Sequence, residues 1–172
     1  RIEVNPVVPS LTLGVRENEE VLFPVAAGNQ HFMVLTAQRA EFDGTLAVEW
    51  PNLPEGLTVT AGTFAPGQTE LPVLVHAAAA LEPQGVLAYV RAKCTDEGVD
   101  VSGGLSQNVV LIYGANRTIY HTFEAKQLAM AVTEPAPFTL TVDAAKAPAV
   151  PNGNKLLRVR ATRADGFTAP IN

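Results

Sequence analysis

The sequence predicts an all-β fold, built as an antiparallel β-sandwich. Three observations support this prediction. Apolar and polar residues alternate with a period of two in several short runs, turn-forming residues separate these runs at roughly 8–15-residue intervals, and no segment of helical length has a 3.6-residue apolar period. The 13 glycines and 13 prolines fit the tight turns of such a fold. The turn signals lie at 27–29, 43–44, 51–56 and 66–68.

Alternation is clearest from Val86 to Cys94, where small apolar residues occupy every second position, which is typical of a half-buried strand. A second run spans Val21 to Val25, and Pro24 within it indicates an edge strand or a bulge. The best helical candidate, 76–81, is predicted to form a single turn at most, because Pro83 stops it. Further runs rich in β-forming residues are predicted as strands: 31–39, 46–50, 57–61, 70–77 and 108–113.

Composition and charge exclude several classes of function. Hydrophobic residues make up 47% of the chain and charged residues 17%, which suits a packed core and not a disordered chain. The net charge of −5 and the absence of a basic stripe argue against nucleic acid as a partner. No stretch approaches about 18 consecutive apolar residues, so no membrane insertion is expected. A single cysteine, Cys94, excludes an internal disulfide.

Self-comparison predicts an internal repeat. Gly28-Asn29-Gln30 is followed by an apolar run and by QRAEFDG, and Gly153-Asn154-Lys155 is followed by a similar run and by TRADGF. A strand with a proline near it precedes each segment, at 12–15 and at 139–142. The spacing between Gly28 and Gly153 is 125 residues, and the order of the elements is the same in both places. Phe42 and Phe167 are predicted to anchor corresponding turns.

This repeat defines the predicted domain organisation. We expect a complete sandwich over residues 1–115, an ordered and packed inter-repeat linker over 116–127, and a partial second copy over 128–172. The chain is therefore interpreted as an excerpt of a longer protein. About three strands cannot bury their own sheet face. The second copy is accordingly expected to pack on the first domain, to pair with another chain, or to be partly disordered.

Two segments carry a resemblance to a known family. The turn and strand NLPEGLTV at 52–59, followed by APGQTE at 65–70, resemble an element in the immunoglobulin-like repeats of large exported bacterial surface proteins. Segments 39–44 and 163–167 are similar to the R-x-x-G-F-x-G element that precedes it there. The first copy departs from that pattern because no glycine separates Glu41 from Phe42.

The resemblance extends to the end of the first copy, where 116–118, 129–134 and 137–138 are similar to the joint between consecutive repeats. It implies an immunoglobulin-like sandwich at an extracellular or cell-surface location. It also implies neighbouring repeats of the same parent chain as partners. Repeats of this family act mostly as spacers, stalks or adhesive modules, often beside protease-like or lectin-like domains.

The residues that most often carry catalysis form no recognisable constellation. His31, His76 and His121 are far apart and lack ligand spacing, and no Gly-x-Ser-x-Gly motif accompanies them. Alternation places Cys94 on the apolar face of its strand, opposite to Lys93, which predicts a buried structural thiol. We therefore predict no catalytic, cofactor-binding or metal-binding residues, no cofactor, and no enzymatic activity.

Several polar and aromatic residues have a structural interpretation and a functional one. The loop Asp96-Glu97-Gly98-Val99-Asp100 offers oxygen ligands for calcium but lacks EF-hand spacing, so a solvated turn is preferred. Asp43 and Asp165 are interpreted as turn residues. Trp50 alternates with Val48 and Leu46, which favours packing over a sugar-binding platform shared with Tyr89, Tyr113 and Tyr120. The sequon Asn116-Arg117-Thr118 is interpreted as a turn.

Two functional hypotheses follow. The first is a non-catalytic structural, spacer or adhesive module. The second is a binding module for a glycan or a surface protein, serving as the accessory domain of a secreted hydrolase; it predicts an exposed aromatic patch surrounded by polar groups.

Overall fold

The computed structural model describes residues 8–16, 22–143 and 150–171. These residues form an all-β protein with several antiparallel sheets, as predicted, and the arrangement is consistent with a β-sandwich. The described residues contain no α-helix. The chain divides into two compact units, Arg1–Glu134 and Pro135–Asn172.

Unit 1 contains twelve described strands and one 3-10 turn. The strands are β1 (Ser10–Val15), β2 (Leu22–Ala26), β3 (Gln30–Ala40), β4 (Leu46–Glu49), β5 (Leu57–Ala61), β6 (Glu70–Ala77), β7 (Gln84–Ala88), β8 (Arg91–Cys94), β9 (Ser102–Gly104), β10 (Gln107–Tyr113), β11 (Ile119–Ala125) and β12 (Leu128–Thr133), and the turn is Ala115–Arg117. Unit 2 contains β13 (Phe138–Val142) and β14 (Val159–Arg163).

The strands of unit 1 form four sheets. The largest has the order β1-β3-β6-β5 and is antiparallel throughout. Two three-stranded sheets follow, β2-β12-β7 and β4-β8-β9, and β10 pairs with β11 alone. The run predicted as one strand from Val86 to Cys94 is interrupted at Tyr89 and Val90, so its two halves, β7 and β8, belong to different sheets.

The core lies between the inward faces of these sheets. The largest fully buried side chains of this core lie in three of the four sheets of unit 1, all but the β10–β11 pair, and in adjoining loops. They are Phe64, Leu13, Leu35, Leu46, Leu128, Met130, Val73, Val75 and Val90. On β3 and β6 the buried residues occupy alternate positions, as the period-two pattern predicts. No buried polar or charged residue occurs among the described residues. Burial of this apolar surface is therefore the main stabilising contribution.

Strand β12 belongs to unit 1, which moves the predicted domain boundary. It lies between β2, with which it pairs in parallel, and β7, with which it pairs antiparallel. Leu128, Met130 and Val132 are buried in the core of unit 1. Because these side chains complete that core, the division falls between Glu134 and Pro135, not between 127 and 128. Pro24 lies on β2, which is an edge strand as predicted.

The segment predicted as an inter-repeat linker forms half of a β-hairpin. Strands β10 and β11 pair from Gln107↔Ala125 to Tyr113↔Ile119, with register shifts after Val110 and after Ile112. We call this hairpin, residues 107–125, the arm. Six of the seven residues of β11 are exposed, so the segment is ordered by pairing with β10 and not by burial as expected.

Unit 2 is a two-stranded antiparallel hairpin whose pairing matches that of β1 with β3. In unit 1, Leu11 is opposite Arg39 and Val15 is opposite Leu35. In unit 2, five pairs run from Phe138↔Arg163 to Val142↔Val159. One further backbone bond beyond each ladder also corresponds: the Arg16 N–H donates to Val34 (2.9 Å), and the Asp143 N–H donates to Arg158 (3.0 Å).

The arginine at or next to the end of each ladder makes a similar contact. Arg39 donates a hydrogen bond to the carbonyl of Gly44 at 3.3 Å, five residues further on. Arg163 donates to the carbonyl of Ala169, six residues further on, and Phe167 lies beneath its guanidinium with 5.4 Å to the ring centroid. The extra residue of spacing agrees with the additional glycine, Gly166, in the second segment.

Candidate binding surfaces

The arm carries a concentration of exposed large apolar side chains. The exposed large residues on it are Leu111, Ile112, Tyr113, Ile119, Tyr120 and Phe123. They are exposed because β10 and β11 form a sheet of two strands, and the described residues provide no third strand beside them. Such a concentration of exposed apolar side chains on one element is typical of surfaces that contact other molecules.

The tip of the arm is a tight turn that contains the sequon, as predicted. The Thr118 N–H donates to the carbonyl of Ala115 at 3.3 Å, and the Gly114 N–H donates to Thr118 at 2.7 Å. Asn116 and Arg117 both have φ of 59°, the left-handed conformation of the primed turns that connect hairpins. At Gly114, an added Cβ would come within 2.0 Å of the Tyr120 ring, so only glycine permits that ring to cover the turn.

Two grooves lie at the base of the arm. One, of about 460 Å³, is lined mainly by apolar atoms, with Leu87, Val109, Phe123 and Ala129 among its walls. The other, of about 330 Å³, runs between β1, the Tyr89–Arg91 segment and the arm. The second groove is lined in part by the charged residues Arg91, Glu124 and Lys126. The Ser106 hydroxyl donates a hydrogen bond to the Glu124 carboxylate there at 2.8 Å. Each groove could accommodate a small ligand or a protruding side chain.

The three histidine side chains do not converge, and none of them lines either groove. His31 is on β3, on the same side as the buried Met33, and packs edge-on against Phe23 with 5.8 Å between ring centroids. His76 is on the neighbouring β6 but at a position that faces the opposite side of the sheet. His121 is exposed on the arm. Cys94 is a buried thiol on β8, as the alternation predicts.

The acidic loop after β8 serves as a turn. Both carboxylate oxygens of Asp96 lie 3.3 Å from the Thr45 N–H, and the Val99 N–H donates to the Asp96 carbonyl. Asp100 pairs with Lys93 at 3.6 Å on the protein surface. Within residues 8–16, 22–143 and 150–171, no group of three or more His, Cys, Asp or Glu side chains is arranged to hold a metal ion.

Trp50 packs against the core of unit 1, as predicted, and so does Phe42. Tyr89 is exposed at the charged groove, while Tyr113 and Tyr120 are exposed on the arm. The sequence allowed a single platform of Trp50 and these tyrosines, but Trp50 packs on the core whereas the three tyrosines are exposed. The run predicted as a strand at 108–113 corresponds to β10, whereas β11 was not predicted, because 116–127 was interpreted as a linker.

The part of the chain that the structure describes contains no helix of the length and apolarity needed to cross a membrane. Comparisons with family models, with curated proteins and with solved structures found no match to this chain.

Proposed function

We propose that this chain is a structural module of a tandem-repeat protein, in which unit 1 is one complete repeat and unit 2 is the start of the next. The observation that carries the proposal is the matched pairing of β1 with β3 and of β13 with β14. Short strands of similar composition occur by chance, but a shared register over five residue pairs is a stronger correspondence. The correspondence extends beyond these five pairs, to an additional backbone hydrogen bond past one end of each ladder and to an arginine contact near the other end.

The same correspondence supports the position of the repeat boundary. Leu13 pairs with Ala37, and Leu140 pairs with Ala161, so Leu140 takes the place of Leu13. On that alignment, Pro135 takes the place of Val8, and residues 8–134 form one repeating length of chain. This length ends at the boundary between the two units and includes β12, which the core of unit 1 requires.

A head-to-tail concatemer of three 8–134 segments, joined without added linkers, tests the proposal. We expect a soluble chain with one cooperative unfolding transition per repeat, and a radius of gyration in X-ray scattering that grows with repeat number as in a linear array. The matched control is a concatemer of three 8–127 segments, which should aggregate because each copy lacks its β12. Equal behaviour of the two concatemers would contradict the assigned repeat.

We further propose that the module belongs to an immunoglobulin-like protein exported to the bacterial cell surface, as the sequence resemblance implies. A spacer or adhesive role is what that resemblance implies, and the fold alone does not specify function. An antibody raised against residues 8–134 should label intact cells of the source organism. Labelling that requires permeabilised cells would refute this location.

A binding module is the second candidate, because the arm exposes Tyr113, Tyr120 and Phe123 beside two grooves. Aromatic side chains with nearby polar groups suit glycan or protein recognition. The test is a glycan array probed with wild-type protein and with Tyr120→Ser. Binding lost in that variant supports this candidate, whereas absence of wild-type binding refutes its glycan version.

A further inference from the structure

We propose that the β14 edge of unit 2 is an acceptor for an antiparallel β-strand with the alternating apolar pattern of Glu70–Ala77. This inference rests on the proposed repeat, because β6 is the strand that occupies the corresponding edge of β3 in unit 1. Among the described residues, β14 pairs with β13 alone. The occupant is thus identified by its chemistry: an extended segment whose apolar side chains take every second position.

The backbone groups at this edge are oriented to receive such a strand. In unit 1, the Ala37 N–H donates to the carbonyl of Thr69 beside β6, while the Val34 carbonyl, on the other side of β3, accepts from the N–H of Arg16 at the end of β1. In unit 2, the Arg158 carbonyl accepts from Asp143 on β13. Because backbone groups of an antiparallel strand alternate in direction, the N–H groups of Val159 and Ala161 point to the edge of β14 at which the described residues provide no strand.

The side chains on one face of unit 2 correspond to core residues of unit 1. Leu140, Val159 and Leu157 take the places of Leu13, Leu35 and Met33. The unit 1 residues are 0%, 0% and 3% exposed, whereas the unit 2 residues are 54%, 57% and 60% exposed. An exposed apolar face beside an unpaired edge is the situation in which strand addition is most favourable.

The register of the incoming strand follows from unit 1. Leu35 pairs with Leu71 of β6 and Met33 pairs with Val73. An occupant should therefore place apolar side chains opposite Val159 and Leu157. A shift of one residue would turn those side chains to the other face of the sheet and remove the contact.

A synthetic peptide with the sequence of residues 69–78, TELPVLVHAA, tests the proposal on the full chain. We expect it to slow amide hydrogen exchange at Val159 and Ala161 by at least about tenfold, with no slowing on the arm. The control peptide LVTAEPHALV has the same composition, but its leucines and valines never occupy alternate positions, and it should have no effect. Val159→Asp should abolish the protection because the charge would lie opposite the incoming leucine, whereas Thr162→Asp, on the other face of β14, should retain it.

Three outcomes would overturn the proposal: no protection at a peptide concentration of about 1 mM, equal protection by both peptides, or equal loss in Val159→Asp and Thr162→Asp. Concentration-dependent dimers in sedimentation, with the same two amides protected in the absence of peptide, would identify a second copy as the occupant and also contradict it. Because the concatemers of 8–134 do not contain β14, their behaviour reports on the proposed repeat independently.

Discussion

The position of β12 makes a strong prediction about truncation. Removing residues 128–134 from a chain that ends at Glu134 deletes the buried side chains of Leu128, Met130 and Val132. Burial of each contributes about 1.5–3 kcal/mol, so the deletion removes about 5–9 kcal/mol. It also leaves β2 and β7 without the strand that joins them. A domain of this size has a free energy of unfolding of about 5–15 kcal/mol in total.

Residues 1–127 should therefore be unfolded or nearly so, whereas residues 1–134 should be folded. The measurement is urea unfolding followed by circular dichroism, with the full chain as reference. Residues 1–134 should show the same midpoint as the main transition of the full chain. If residues 1–127 unfolded cooperatively with a free energy within about 1 kcal/mol of 1–134, the assignment of β12 to the core of unit 1 would be refuted.

Point substitutions on β12 test the loss of a buried side chain without removal of the strand itself. Met130→Ala should cost about 2–5 kcal/mol, because the side chain is 1% exposed and leaves a cavity. Thr133→Ala on the same strand should change stability by less than about 0.5 kcal/mol, because that side chain is exposed. A similar effect of the two substitutions would contradict the described orientation of β12.

Three other sites give independent tests. Gly103→Ala should lower stability by more than about 2 kcal/mol, because an added Cβ would lie 2.0 Å from the Leu11 carbonyl oxygen, whereas Gly85→Ala meets nothing within 4 Å and should be neutral in the same thermal melt. Arg39→Met should cost about 2–4 kcal/mol, because the largely buried side chain donates to three backbone carbonyls; an unchanged urea midpoint would contradict this. Cys94 should react with a thiol reagent only at the rate of unfolding, since it is buried; immediate reaction of the native chain would show otherwise.

The sequence predicted the fold class well because the strands of the large sheet follow their local pattern. The runs at 57–61 and 70–77 match β5 and β6 at both ends, since alternate burial is expressed directly in the order of apolar residues. The edge position of β2 was also predictable, because Pro24 lacks an N–H to donate to a second neighbour. These features are local, and each can be derived from a few consecutive residues.

The boundary of unit 1 was not predictable in the same way. Nothing within Leu128–Thr133 indicates that its partner is Leu22–Ala26, which lies about a hundred residues earlier. The second strand of the arm, β11, was also missed, because residues 116–127 were interpreted as a linker. Its exposed positions carry apolar residues, and hydrophobicity does not indicate burial where apolar side chains are exposed. For β12 the decisive information is long-range pairing, whereas β11 depends on the local turn at the tip of the arm.

The parallel pairing of β12 with β2 has a consequence for biosynthesis. A nascent chain emerges from the ribosome in order, so the sheet β2-β12-β7 must wait for residues 128–133 before it can close. Until then, Phe23, Val25 and Ala88 have no cover from Met130 or its neighbours. Long-range pairing of this kind folds slowly, and in an array of similar repeats the waiting sheet can accept the last strand of a neighbouring copy. The fraction of chains in which β12 pairs within its own repeat would then depend on how early β12 leaves the ribosome. It would also depend on any chaperone that shields the open sheet until then.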